Sequence, residues 1–228
     1  MTNCFVATDE FLSSLDTIET VAQSLSSPAA LKPSQLASTN AISCSIIVLL
    51  SGYFESYLKN IIKEHIESIN DLNKPLTIIP LNMQLKHYSG GADALVSASK
   101  KDKKLKSTSI SQDLTRRLGS LDQSKYYLAW ESFANTKSNP GAETISMLFS
   151  GLEIEKGWNL INDLNKSHGR LDMFLTSFIE MRNVCAHTGR HQTPPSGADL
   201  LDYIDKFRTL GGCIDMAIGV RLAEFSQP

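Results

Sequence analysis

Long apolar runs, closely spaced cysteines and an excess of either charge are all missing from this 228-residue sequence, and each absence removes a class of protein. The most apolar stretch, Ile42 to Leu50, contains Ser43, Cys44 and Ser45 and is soon followed by Glu55 and Lys59. It is too short and too interrupted to cross a bilayer, so no membrane association is expected. The first residues lack a basic segment followed by an apolar core, so no signal peptide is expected either. Cys4, Cys44, Cys185 and Cys213 lie far apart, with no CxxC pair and no Cys/His spacing suited to a tetrahedral metal shell. That pattern predicts reduced thiols in a cytoplasmic protein and offers no metal site; no cofactor is expected. A net charge of −2 gives no chain-wide basic field, so any nucleic-acid contact must depend on a local patch. No β-hairpin or βαβ signature and no internal repeat is present.

What is present is helical periodicity. Hydrophobic residues at 42% and charged residues at 20% match ordinary globular usage, enough apolar surface to offset the entropy of folding one domain spanning residues 1–228. Phe11, Leu12, Leu15, Ile18 and Val21 predict a first helix over about 9–25, with Thr8 as its cap. After a Ser/Pro-rich stretch, Ile46, Leu50, Tyr53, Phe54, Tyr57, Leu58, Ile61, Ile62, Ile66 and Ile69 form one stripe of a long core helix over about 36–69. Pro75, Pro80, Gly90-Gly91 and the lysine-rich run 100–106 predict an insertion of loops and short helices over about 75–140. Weak helical patterns return at about 109–120 and 124–134 within it and at 142–151 after it. Leu171, Phe174, Leu175 and Phe178 mark a second long core helix, over 170–187, closed by Thr188-Gly189. Leu200, Leu201, Ile204, Phe207 and Leu210 mark a final helix that Gly211-Gly212 could break. The fold class expected is all-α, a bundle built on two long core helices.

The second core helix carries the chemistry. With Leu171 at zero on a wheel of about 100° per residue, Arg182 falls at about 20°, inside the apolar stripe. A guanidinium there must snorkel, pair with an acid, or line a cleft that takes an anion. Asn183 and His187, four apart, share one flank at about 120° and 160°, where an amide can orient an imidazole. Arg182 and His187 diverge by about 140°, so one straight helix does not aim both at one atom. Convergence needs either an unwound helix end at Thr188-Gly189 or a second copy of the helix across a two-fold axis. The structural alternative is an Arg snorkelling at the rim and a His capping its helix.

Arg182-Asn183-Val184-Cys185-Ala186-His187 resembles the Arg-x4-6-His motif of HEPN proteins. Leu50 to Leu58 (LSGYFESYL), Asn139-Pro140, Ile145 to Phe149 with Trp158, and the His187-Thr188-Gly189 ending are similar to the bacterial RiboL-PSP and MAE-type HEPN branches. The resemblance touches most of residues 40–190. It implies a HEPN helical bundle working as a homodimer with a composite interfacial site. The implied activity is metal-independent endoribonuclease cleavage to 2′,3′-cyclic phosphate and 5′-hydroxyl ends, in a toxin–antitoxin or antiphage system with a separate antitoxin or partner protein. On that basis His187 is the general acid/base, Arg182 the phosphate-binding cation and Asn183 an orienting amide. The alternative is a HEPN-like module that keeps the fold for dimerisation and for protein or nucleotide binding without cleavage.

Other residues carry weaker signals. Glu55 flanks the stripe of the long helix, where it pairs with Arg182, assists proton transfer or is a solvated surface acid. Lys100, Lys101, Lys103 and Lys104 with Arg116 and Arg117 form either an RNA-binding patch or a solvated loop; no aromatic residues are interleaved for stacking. Tyr126, Tyr127 and Trp130 read as core of a helix, and His191 as part of a loop. His65, His87 and His168 show no ligand spacing.

Overall fold

Apolar residues repeating every three or four positions along a helix as long as Pro33–Asp71 can be buried only from several sides at once, and this helix is buried that way. The computed structural model describes residues 4–25, 33–105, 109–119, 126–136 and 140–226. In chain order these form α1 (Val6–Ser24), α2 (Pro33–Asp71), α3 (Leu81–Leu105), α4 (Ser109–Leu118), α5 (Ala142–Gly151), α6 (Gly157–Leu164), α7 (Leu171–Thr188) and α8 (Gly197–Ser226). Single 3-10 turns lie at Leu76–Ile78 and Trp130–Ser132, and no strand occurs among the described residues.

The main core packs α2 against α1, α7 and α8. Phe54 of α2 meets Phe207 of α8 at 5.0 Å between ring centroids, and Phe207 meets Phe178 of α7 at 4.7 Å, so one aromatic cluster ties three helices together. Phe11 of α1 stacks on Tyr57 at 4.6 Å, and the buried Tyr57 hydroxyl donates to the Gly211 carbonyl at 2.8 Å. Gly211-Gly212 therefore does not break α8, which runs unbroken to Ser226. Ala37–Asp71 of α2 is long and apolar enough to span a bilayer by length and composition, but half of that apolar window is buried in the bundle.

α1 starts at Val6, earlier than the Thr8 cap predicts, because its first turn is capped from elsewhere in the chain. Buried Asp215 of α8 accepts from the Cys4 and Phe5 amides (2.9 and 3.1 Å) and from the Thr8 hydroxyl (2.7 Å), and Glu64 of α2 accepts from the Ala7 amide at 2.9 Å. Acids at a helix N-terminus satisfy its orphan donors and favour its dipole.

The stretch expected to hold loops and short helices contains α3, twenty-five residues long. Gly90-Gly91 is no break there but a close approach: a Cβ on Gly90 would sit 2.1 Å from the Ser132 carbonyl oxygen. Lys103 and Lys104 lie in the last turn of α3, where lysine is both a good helix former and favourable to the dipole. Residues 126–129, expected to be helical, adopt no regular secondary structure, since side chains capture their backbone. Asn70 pairs with both the amide and the carbonyl of Leu128, at 2.8 and 3.1 Å, and His87 Nδ1 accepts from the Ala129 amide at 3.0 Å. Helix α6 has no counterpart in the expected elements. α3, α4 and the Trp130–Ser132 turn form a flanking unit with its own small core of Ala98, Leu114 and Ala129.

Candidate active site

α7 buries Leu171, Leu175, Phe178, Ile179 and Cys185 and ends at Gly189, whose φ of 64° suits only glycine without strain; its amide closes the helix on the Cys185 carbonyl at 2.9 Å. The helix continues regularly through Thr188, so Arg182, Asn183 and His187 all project from intact turns. The unwinding that would bring Arg182 and His187 together within one chain is not observed.

Arg182 is half-buried. Its Nη1 donates to Asn183 Oδ1 at 3.2 Å, and its Nε is buried with no hydrogen-bond partner among the described residues. A buried guanidinium N–H without an acceptor costs about 1–3 kcal/mol, so this group is held at a cost. Asn183 is thereby engaged by Arg182 rather than by His187. His187 is exposed, its ring open to a ligand.

Glu55 of α2 faces this region. Burial alone would raise its pKa, but hydrogen bonds from Lys59 and Thr136 and the charges of Lys59 and Arg182 outweigh burial and hold it below the ordinary carboxylate value. No ion pair joins Glu55 to Arg182; its Oε1 accepts from Lys59 Nζ at 2.6 Å and Thr136 Oγ1 at 2.8 Å. The carboxylate stays anionic at neutral pH and tempers the Arg182 charge without capping it. Lys59 was legible from its i+4 spacing to Glu55, whereas Thr136 is distant in sequence and carried no signal.

Two further contacts bind the motif to α2. Buried Cys185, inside the motif, meets buried Cys44; burial first, then the neighbouring thiol, pushes the Cys185 thiol up to about 12, so it is no nucleophile at neutral pH. Asn40 pairs with the loop that follows α7, donating to the His191 carbonyl at 2.9 Å and accepting from the His191 amide at 3.0 Å. His191 itself lies in that loop, with Nδ1 against Thr193.

The remaining candidates lie apart. Lys100, Lys101, Lys103 and Lys104 are exposed along the last turns of α3, not in a loop, and Arg116 is exposed on α4; the Arg117 side chain, Lys106 and Asn139 fall outside the described residues. Tyr126 is buried with its hydroxyl on the Ile69 carbonyl, Trp130 is half-buried, and Tyr127 is exposed. His65 and His87 are buried, and His168 pairs with Asp205 at 3.2 Å. No cluster of three or more His, Cys, Asp or Glu side chains suited to a metal ion occurs among the described residues. A groove of about 600 Å³ runs past Asn82, Ser146, Ser150 and Trp158, and neither Arg182 nor His187 lines it.

No curated protein and no solved structure matches the chain. The sequence profile of the family described as RiboL-PSP-HEPN matches residues 9–219, a span that runs from α1 into α8 and includes both long core helices and the Arg182-to-His187 motif. The chain belongs to the RiboL-PSP-HEPN family.

Proposed function

We propose that this protein is a metal-independent endoribonuclease that cleaves RNA to 2′,3′-cyclic phosphate and 5′-hydroxyl ends. The observation that carries the reading is the presence, on one unbroken helix of a HEPN fold, of an exposed imidazole and a half-buried guanidinium that forms no ion pair among the described residues. His187 takes the proton of the ribose 2′-hydroxyl as the 2′-oxygen bonds to phosphorus, or gives a proton to the departing 5′-oxygen; an imidazole changes charge near neutral pH and can serve either step. Arg182 binds the scissile phosphate and neutralises charge that develops on its oxygens, with Asn183 holding the guanidinium plane. Glu55 is an accessory group that sets the local field.

Because α7 stays straight, Arg182 and His187 of one chain face about 140° apart, and the reading requires a homodimer in which two α7 helices complete the site across a two-fold axis. The biological role in this proposal is that of a cytoplasmic toxin or defence effector restrained by a separate antitoxin. The test is cleavage of total RNA in EDTA by wild type, Arg182→Ala and His187→Ala, with end-group analysis. Cyclic-phosphate ends from wild type alone are expected. A folded dimer, free of bound inhibitor, whose wild type cleaves nothing would move the assignment to a non-catalytic dimerisation and binding module.

A further inference from the structure

Helix α3 has two apolar faces, and the bundle uses one of them. Met83, His87, Gly91, Ala98 and Asp102 are buried toward α4, the Trp130–Ser132 turn and the main core. On the opposite side Leu81, Leu85, Tyr88 and Val96 are 67, 57, 51 and 56% exposed, and Ala92 between them is exposed as well. Their spacings of four, three, four and four residues keep all five within about 80° on the helix, a stripe about 22 Å long. Beside Leu85 the stripe opens into a groove of about 550 Å³ walled by Met147 and Ser146 of α5. A solitary exposed leucine is ordinary, whereas five aligned apolar side chains mark a surface that another element covers.

Charge identifies the occupant. Lys86 stands beside the stripe in the groove, Lys103 extends it beyond Val96, and Lys100 and Lys104 line its flank, with Lys101 exposed nearby. The acids on this side are Asp93 and Glu143, with Glu153 and Glu155 beside Lys156 in the adjoining groove past Asn82, at the Leu81 end of the stripe. The C-terminal end of the face is thus basic, through Lys100, Lys103 and Lys104, on a chain whose net charge is −2. A second copy of the same face would bring lysines against lysines, which disfavours self-association through α3. Tyr88 is a single ring among aliphatic Leu81, Leu85 and Val96, short of the successive aromatic side chains on which single-stranded RNA stacks, which disfavours that ligand. We propose that the outer face of α3 is the docking site for an acidic amphipathic helix of a separate protein, its apolar side seated on Leu81, Leu85, Tyr88 and Val96 and its carboxylates paired with Lys86, Lys100, Lys103 and Lys104. This inference is independent of the nuclease reading.

The test uses full-length protein and a fluorescein-labelled synthetic helix of about six turns with leucines at the a and d heptad positions and glutamates flanking them, read by fluorescence anisotropy. A helix on a face this small should bind with a Kd of ~10 µM at ~0.1 M salt and about tenfold more weakly at ~1 M. Leu85→Asp, at an exposed position, should weaken binding at least tenfold, with the helical circular dichroism unchanged. The triple charge reversal Lys100→Glu, Lys103→Glu, Lys104→Glu should do the same and transfer preference to a lysine-flanked version of the peptide. The proposal is overturned if wild type binds neither peptide up to ~1 mM, or binds both alike. It is equally overturned if Leu85→Asp turns a dimer into a monomer, which makes the face self-associating, or if an RNA oligonucleotide binds through the same lysines and the acidic peptide does not compete.

Discussion

His65 of α2 is fully buried between Phe5 and Phe225, ring centroids 6.4 Å from each, and neither ring nitrogen has a hydrogen-bond partner among the described residues. Burial first, and the nearby Arg221 charge second, lower its pKa from 6.5 to about 3. In the unfolded chain the imidazole takes a proton near pH 6.5, and in the folded chain it does so only near pH 3. Its contribution to stability is therefore complete above about pH 6.5 and declines as pH falls, by about 1.4 kcal/mol per unit down to the folded value. Between about pH 7 and about pH 4.5 this amounts to about 3 kcal/mol from one residue. His65→Leu fills a similar volume, removes two unsatisfied polar atoms and should raise stability at about pH 7 by about 1–2 kcal/mol. Urea unfolding followed by circular dichroism at both pH values supplies the comparison, with every other titrating group common to both proteins. The variant should lose about 3 kcal/mol less than wild type on acidification. Equal losses would refute the buried neutral imidazole.

Gly90→Ala should destabilise by about 1–3 kcal/mol in chemical denaturation, because the new Cβ would stand 2.1 Å from a backbone oxygen, whereas Gly52→Ala on the exposed side of α2, with nothing within 4 Å, should stabilise by about 0.5–1 kcal/mol. Asp215→Ala strips acceptors from two amides and a hydroxyl and should cost about 3 kcal/mol, or roughly 6–12 °C in melting temperature; Asp215→Asn should cost less. Asn40→Ala should speed amide exchange in residues 189–193 about tenfold, since the amide clamp on His191 contributes on the order of 1.4 kcal/mol, while the global melting temperature changes little.

The long bundle helices were legible because their apolar residues repeat turn after turn: the stripes from Ile46 to Ile69 of α2, Leu171 to Phe178 of α7 and Leu200 to Leu210 of α8 lie in the core where periodicity put them. α3 was not legible because Gly90-Gly91 and a lysine run look like a loop until the Ser132 backbone beside Gly90 is known. The same holds for 126–129, where Asn70 and His87, distant in sequence, take the backbone groups a helix would use. In the site, the half-buried setting of Arg182 follows from its wheel position, but its contact with Asn183 and the commitment of Glu55 to Lys59 and Thr136 depend on rotamers and on a segment distant in sequence. Cys44 and Cys185 carry no spacing signal at all, since helix packing alone brings them together.

Mixing the Arg182→Ala and His187→Ala variants, each expected to be inactive alone, tests the proposed interfacial ribonuclease site most directly. Arg182→Ala and His187→Ala protomers, unfolded together and refolded at equal concentration, form mixed dimers in about half of cases. If each site draws Arg182 from one chain and His187 from the other, a mixed dimer holds one intact site, and RNA cleavage should return to about a quarter of wild type. Mixed dimers that form and stay silent beside an active wild type would contradict a site shared across the two-fold axis.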